Sequence, residues 1–198
     1  MHYVRLDKQM PEAATVRYAI DSKKSNFTVR AFATGMLSAF AHSPTIAIRD
    51  FEGEAVVNPE AVEESSLRVV VHADSLTVTD DISAKDRDEI NQRMRGEVLD
   101  SESYSDIVYE CSRISASKTG EGQYWAALNG ELSLHGVTRA QPVSARVTMS
   151  GDSLRASGEL SLRLSDYQIK PVTAAGGAIK LKDELKLSFE ITARKAAG

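Results

Sequence analysis

Hydrophobic and polar residues alternate through most of the chain in short runs that end at turn-forming residues. The clearest case is LNGELSLHGVTRAQPVSARV, residues 128–147, in which the alternation is interrupted by a turn and then resumes. Because successive side chains of a strand point to opposite faces, this period of two predicts two neighbouring strands, each with one apolar face. Further runs of this kind occupy residues 16–20, 27–31, 46–57, 67–73, 107–111, 154–164 and 185–193. So many short alternating segments, separated by clusters such as TGEGQ and MSGDS, predict an all-β sandwich or barrel.

One segment, SAKDRDEINQRMRGEVLDSESY, departs from the period of two. In it Ile90, Met94 and Val98 are spaced by four residues, as on one face of a helix. Ser83 is suited to cap the helix N-terminus, and acidic residues occupy the first turns. The segment therefore predicts one helix, from about Ala84 to Arg95, inserted mid-chain between strands as a crossover or a lid.

The side chains on the apolar faces favour a hollow interior. Closing a sheet into a barrel removes its exposed edges, and a barrel of about eight strands either fills its interior or holds one small ligand. Only 6% of the residues are aromatic, and the apolar faces are mostly aliphatic, with the small residues Gly130, Ala145, Ala156 and Gly158 among them. This pattern favours a tunnel for a long, thin, apolar molecule, although a flattened two-sheet sandwich would fill its core with the same residues.

Length and charge narrow the class of protein. The 198 residues fit an N-terminal arm, residues 1–14, and one domain, residues 15–198. A net charge of −4 with both signs interspersed argues against a surface for nucleic acid or anionic membrane. The single cysteine, Cys111, excludes an internal disulfide. No run approaches the roughly 18 apolar residues of a membrane span, and the N-terminus lacks the apolar core of a secretory signal, so we expect a cytoplasmic protein, or a periplasmic one if a leader was trimmed.

Several motifs, taken in order, resemble the YceI-like family. YAIDSKKSNFTVRA is similar to the family's first hairpin, LRVVVHADSLTVTD to its strand leading into the helix, and VLDSESYSDIVYECSRI to the segment after the helix. LNGELSLHGVTRAQPV is similar to its central signature and KDELKLSFEITARK to its closing strand. The resemblance spans about Val16 to Arg194. It implies a lipocalin-like antiparallel β-barrel of about eight strands with one helix inserted mid-chain, which binds an amphiphilic isoprenoid-type lipid and has no cofactor and no catalytic residues.

At three positions this chain differs from the pattern that members of the family often show. Leu164 stands where the family often has an arginine, Gln168 where it has a glycine, and Ser105 where it has a proline. The resemblance also implies a bacterial protein, and many members are periplasmic. Because these positions concern the polar end of the pocket, the resemblance does not carry over a headgroup contact.

The apolar faces of the strands supply the candidate wall of a ligand site. Its residues are Phe27, Val29, Val69, Val71, Leu132, Leu134, Leu160, Leu162, Leu187 and Phe189.

Polar side chains near strand ends supply candidates for the other end of the ligand. Tyr104 and Tyr109 have polar tips and could line or cap the pocket, with packing in the core or at the rim as the favoured alternative. His135 either hydrogen-bonds its turn or contacts a headgroup. His42 is a turn or surface histidine, a donor to a phosphate, hydroxyl or quinone oxygen, or a metal ligand with His72. The four histidines show no ligand spacing, so no metal is predicted.

The leading hypothesis is a non-catalytic binding protein that carries a polyprenyl or quinone-like lipid and could form a homodimer. Burying one methylene contributes about 0.8 kcal/mol, so a chain of about a dozen carbons supports micromolar binding after the costs of association. A small-molecule enzyme is less favoured, because there is no Gly-x-Ser-x-Gly elbow or phosphate loop and the inward faces offer almost no acid–base groups. The other alternative is a structural module with a filled barrel, acting as a stress-related homodimer.

Overall fold

A computed structural model describes residues 15–34, 43–170, 172–174 and 179–196. Strands account for most of the residues within these ranges. The strands are β1 Val16–Ile20, β2 Asn26–Arg30, β3 Ala33–Thr34, β4 Thr45–Ile48, β5 Phe51–Val57, β6 Ser66–His72, β7 Leu76–Val78, β8 Asp106–Cys111, β9 Ile114–Gly120, β10 Gln123–Leu134, β11 Val137–Ser150, β12 Ser153–Arg163, β13 Thr173–Ala174, β14 Ile179–Leu181 and β15 Glu184–Lys195. The predicted N-terminal arm, residues 1–14, lies outside the described residues.

Twelve of these strands form one closed antiparallel barrel with eight strand positions. The long strands β10, β11, β12 and β15 each fill one position, and the pairs β1–β2, β4–β5, β6–β7 and β8–β9 fill the other four in succession. Each position pairs with the next one along the chain, and β15 pairs with both β1 and β2 to close the ring. The predicted fold class, an all-β antiparallel barrel of about eight strands, is confirmed, and the sandwich alternative is excluded.

Ser25 supplies hydrogen bonds to the backbone of β15 where the first strand position of the barrel is interrupted, between β1 and β2. The chain turns out of the ladder at residues 21–25, opposite Thr192 of β15. Ser25 Oγ accepts a hydrogen bond from the Thr192 amide at 2.9 Å and donates one to the Asp21 carbonyl at 2.8 Å. The side chain therefore replaces the missing ladder partner, and the barrel stays closed along this seam.

The hairpin between β10 and β11 has the two-residue turn that the alternation around it predicts. His135 and Gly136 both have positive φ, at 52° and 74°. Positive φ at both central residues is the geometry of the turn whose twist matches two antiparallel strands. The ladder consequently runs in one register from Gln123–Thr148 to Leu134–Val137.

The predicted mid-chain helix is present and is anchored to the barrel by a polar side chain. Helix α1 spans Ala84–Arg93, and Ser83 Oγ accepts from the Asp86 amide as the N-cap. The α-helical geometry ends two residues before the predicted end, because Met94–Val98 form a π-helical turn. Asn91 lies buried in α1, and its Oδ1 accepts from the Val78 amide of β7 at 2.9 Å.

Candidate functional site

The interior of the barrel contains a cavity of about 980 Å³. Its wall is formed by side chains from all eight strand positions, and nearly all of them are aliphatic or aromatic. This volume stands at the upper end of the range of about 300–1,000 Å³ that is typical of ligand pockets. The predicted hollow interior is therefore present in the folded chain.

The burial of the wall residues shows that they border open space. Leu132, Leu160, Leu162 and Leu187 point inward but are only half-buried, although each packs against the main hydrophobic cluster. In a filled barrel the inward side chains of central strands are covered on all sides. These leucines therefore present apolar surface that a guest molecule can cover.

All ten predicted wall residues line this one cavity. They are Phe27, Val29, Val69, Val71, Leu132, Leu134, Leu160, Leu162, Leu187 and Phe189. The period of two placed them on one face of each strand, and barrel closure brings those faces together. Their contact with a ligand stays a prediction.

Two of the four small residues that were expected to open the cavity have a different role. A Cβ at Gly130 would lie 2.6 Å from Cζ of Tyr109, and a Cβ at Gly158 would lie 2.7 Å from Cζ of Phe189. These glycines therefore make room for aromatic rings from neighbouring strands, not for a guest. The expectation holds better for Ala156, which is half-buried and lines the cavity.

A second apolar cluster lies at one end of the cavity. Tyr18, Leu154 and Ala193 are buried there and pack with half-buried neighbours such as Val57 and Met149. Leu154 and Ala193 line the cavity, and the Tyr18 ring is 4% exposed. This cluster forms the floor of the barrel.

The opposite end carries most of the exposed cavity lining, on the face of α1 that looks across the barrel, whereas Pro59 is an exposed lining residue at the floor end. Asp86, Glu89 and Ile90 line the cavity and are exposed. Arg93, one turn further, donates from its guanidinium to the Thr173 carbonyl of β13 at 3.0 Å and to Glu97 at 3.1 Å. We call this opening between α1 and β13 the mouth.

Within the strand wall, hydrogen-bonding groups are few. Tyr109 reaches into the cavity from β8, and its hydroxyl donates to the carbonyl of Gln141 at 3.2 Å, with the Leu128 carbonyl at 3.4 Å. Burial raises the pKa of Tyr109 well above the usual value for a phenol, so its hydroxyl stays protonated. Gln141 lies on the inward face of β11. Sequence analysis proposed that Tyr109 lines or caps the pocket but missed Gln141, although the phase of both residues in the alternating pattern places them inward.

Two of the residues predicted for the polar end lie away from the cavity lining. The rings of Tyr104 and His135 pack together with centroids 4.8 Å apart, and Nδ1 of His135 is 3.3 Å from the Tyr167 carbonyl oxygen. Tyr104 also covers Gly136, where a Cβ would lie 2.6 Å from its ring. This placement favours the structural interpretation of His135, and headgroup contact by either residue stays a prediction. His42 lies outside the described residues.

The suggested metal pair of His42 and His72 gains no support from the described part of the chain. His72 is on the outer face, where its Nδ1 lies 3.0 Å from Oδ1 of Asp106. Across the described residues, no group of three or more His, Cys, Asp or Glu side chains is arranged to hold a metal ion.

Two of the positions that depart from the family pattern, Leu164 and Gln168, follow the end of β12, and the third, Ser105, precedes β8. Leu164 is buried and lines the cavity, so the wall is apolar where the pattern has an arginine. Gln168 has φ of 59°, a left-handed conformation that glycine adopts without strain. The backbone carbonyl of Ser105 accepts a hydrogen bond from the Ala73 amide at 2.8 Å, and this bond joins the segment after the helix to the end of β6.

Comparison with known proteins defines the family and the fold. The family model of the YceI-like domain matches residues 18–193, whereas a search of curated proteins found no match. The chain is similar in structure to BcnA of Burkholderia cenocepacia, with 16% identity, a TM-score of 0.66, and coverage of 87% of this chain and 98% of that one.

Two further solved structures show the same fold. A polyisoprenoid-binding domain of Saccharophagus degradans, implicated in plant cell wall breakdown, has 14% identity and a TM-score of 0.63, with coverage of 91% and 99%. The YceI protein of Campylobacter jejuni has 15% identity and a TM-score of 0.56, with coverage of 77% and 85%. Among the described residues, no helix is long and apolar enough to cross a membrane. The ordered motifs, the closed barrel and the family match over most of its length together show that the chain belongs to the YceI-like domain family.

Proposed function

We propose that the protein is a non-catalytic carrier that holds one long-chain amphiphilic lipid, of polyprenyl or quinone-like type, in its barrel. The observation that carries the proposal is the cavity of about 980 Å³ with its half-buried aliphatic wall. Apolar wall surface that no protein atom covers gains free energy when a hydrocarbon chain covers it, at about 25 cal/mol per Å².

The shape of the cavity suits a chain with one polar end. The floor at Tyr18, Leu154 and Ala193 has no charged lining residue, whereas the mouth at α1 carries charged side chains. An amphiphile would therefore enter with its tail first and leave its head nearer the mouth. The Saccharophagus degradans domain of the same fold is a polyisoprenoid-binding domain, which agrees with a tail of this kind.

The alternatives from the sequence receive less support. A filled structural barrel is difficult to reconcile with the cavity. An enzyme would need acid–base groups beside the bound substrate, but the polar side chains in the middle of the described wall are a neutral tyrosine and an amide, Tyr109 and Gln141. Homodimer formation remains part of the proposal, independent of the cavity.

The test is to identify what the purified protein carries and then to fill the cavity. Native mass spectrometry of gently purified protein should show one bound molecule per chain, and organic extraction should release a long-chain lipid; the same spectrum reads the oligomeric state. In Leu160→Trp the larger ring occupies the cavity, and bound lipid should fall severalfold.

Ser161→Trp is the matched control, because Ser161 is the next residue of β12 and is exposed on the outer face. This variant should retain the lipid. A wild-type protein that carries no lipid and takes up none from solution, or equal lipid in both tryptophan variants, would refute the carrier.

A further inference from the structure

Gln141 is the polar exception among the β11 residues that line the cavity. Arg139, the preceding residue on the same face, does not line the cavity, and Nη1 of its exposed guanidinium lies 3.5 Å from Oδ1 of Asp166. The inward positions that follow Gln141, namely Val143, Ala145, Val147 and Met149, are all apolar and line the cavity with it. The only polar contact of the Gln141 amide among the described residues is long, 3.4 Å from Nε2 to the carbonyl oxygen of the adjacent Pro142. A primary amide has two donor hydrogens and an acceptor oxygen, so most of its hydrogen-bonding capacity is unused.

The neighbours of Gln141 leave its side chain directed at the cavity. In the ladder Gln141 pairs with Gly130, which supplies no side chain, and the ring of Tyr109 occupies that place. The Tyr109 hydroxyl uses its hydrogen on the Gln141 backbone carbonyl and not on the side-chain amide. The two residues together place a neutral amide and the lone pairs of a neutral hydroxyl at one point of the wall.

Gln141 is half-buried, and a bound guest would replace the water that its amide otherwise contacts. Gln141 is the fifth residue of β11, about 14 Å along the strand from its start at the hairpin turn. When a hydrocarbon chain fills the cavity, it displaces water from the wall. A buried polar group then loses free energy unless the guest itself supplies a hydrogen-bonding atom.

The charges around the cavity disfavour an anionic group at the same depth. Among the described lining residues the basic side chain is Arg93 at the mouth, and its guanidinium is already bonded to Thr173 and Glu97. The other charged lining residues, Asp80, Asp86 and Glu89, are acidic. A phosphate or carboxylate would enter past these carboxylates and find no described cation inside.

We propose that Gln141 is a specificity-determining residue that hydrogen-bonds an uncharged polar group of the guest, a carbonyl or hydroxyl, and selects it over an anionic one. This inference rests on the proposed carrier function and names the chemical class of its ligand. The amide serves either kind of group, because Nε2 donates to a carbonyl and Oε1 accepts from a hydroxyl.

The test is a competition between guests with the same tail. 1-Hexadecanol, hexadecyl phosphate and n-hexadecane each displace the neutral fluorescent probe N-phenyl-1-naphthylamine from delipidated full-length protein. We expect the alcohol to bind about tenfold more tightly than the phosphate. The alcohol makes a hydrogen bond to Gln141, whereas the charge of the phosphate finds no partner among the described residues inside the cavity. In Gln141→Met, which keeps the length of the side chain, the alcohol should weaken about fivefold and the alkane should not.

Gln123→Met is the matched control, since it makes the same replacement at an exposed residue of β10 that does not line the cavity, and it should leave the alcohol-to-alkane ratio unchanged. The inference fails if Gln141→Met binds the alcohol within twofold of the wild type, or if the phosphate binds the wild type as tightly as the alcohol. If the wild type binds both the alkane and the alcohol but one of these two results is found, only the inference about Gln141 fails and the carrier function stands. If neither the probe nor any guest binds the wild type, the carrier function and the inference fall together.

Discussion

The ring of Tyr109 on β8 lies directly across the backbone of Gly130 on β10. A Cβ at Gly130 would lie 2.6 Å from both Cζ and the hydroxyl oxygen of Tyr109, and 2.5 Å from the carbonyl oxygen of Glu110. The missing side chain therefore allows the ring to lie flat on the wall, with its hydroxyl at the Gln141 carbonyl. A glycine in one strand thus sets the position of the polar point of the cavity.

Gly130→Ala should lower the free energy of unfolding by about 1–3 kcal/mol, since either the ring or the two backbones must move. Denaturant unfolding followed by circular dichroism measures the change. Gly96→Ala is the control, because a Cβ at Gly96 meets no atom within 4 Å. It should leave stability within about 0.5 kcal/mol or raise it slightly, since alanine favours helical backbone. Equal stability of the two variants would show that the ring does not depend on Gly130.

The wall of the cavity could be predicted from sequence because it depends on a local rule. Strand alternation assigns each residue to a face without knowledge of its neighbours, and apolar faces turn inward in any closed sheet. Val69, Leu132 and Leu187 therefore lie in the cavity although they come from distant parts of the chain. The pattern alone left barrel and sandwich open, because closure depends on the pairing of β15 with β1 and β2.

The polar contacts could not be predicted in the same way, since each depends on a partner brought close only by folding. His135 was a candidate for contact with a headgroup because it lies at a strand end. In the structure its ring packs against the ring of Tyr104, and its Nδ1 lies near the carbonyl oxygen of Tyr167. Gly130 was expected to open the cavity, but the ring that covers it comes from another strand. For a polar or very small residue, the pattern gives the face of the strand and leaves the role undetermined.

The pair of His72 and Asp106 predicts a pH dependence of stability. The hydrogen bond to Asp106 raises the pKa of His72 above its ordinary 6.5, and the nearby Asp50 and Glu52 add to the effect while desolvation opposes it. A raised pKa means that the folded state holds the proton more tightly. This contribution is therefore fully present below about pH 6.5 and is lost as pH rises through the folded pKa.

Asp106→Asn should accordingly cost more stability at pH 5.5 than at pH 8. The side chains of His72 and Asp106 are 40% and 48% exposed, so solvent screening should keep the difference below about 1 kcal/mol. NMR titration of the His72 ring in wild type and variant gives the direct readout, with a lower pKa in Asp106→Asn. The same pKa in both proteins would show that the hydrogen bond does not hold the proton.

Arg93 joins α1 to β13 beside the mouth, and its loss should speed the exchange of a bound guest. Arg93→Ala removes the hydrogen bonds to the Thr173 carbonyl and to Glu97. If the guest leaves through the mouth, its dissociation rate should rise about threefold to tenfold, which corresponds to about 0.7–1.4 kcal/mol. Stopped-flow displacement of the fluorescent probe measures this rate.

The control for Arg93→Ala is Lys85→Ala on the same helix. Lys85 is exposed and does not line the cavity. Its removal should leave the rate unchanged. Equal rates in the wild type and both variants would place the exit of the guest elsewhere in the barrel.

Asn91 should contribute more to stability than any exposed residue of α1, because it serves as a partner for the sheet. It is 9% exposed; its Oδ1 accepts from the Val78 amide at 2.9 Å, and its Nδ2 donates to Oγ1 of Thr77 at 3.0 Å. Asn91→Leu keeps the volume but leaves the buried Val78 amide without its acceptor, at a cost of about 1–3 kcal/mol. The exposed neighbour Gln92→Leu should change stability by about 0.5 kcal/mol or less. Hydrogen exchange gives the specific readout: the Val78 amide should lose protection in Asn91→Leu, and retained protection would show that another group holds the edge of β7.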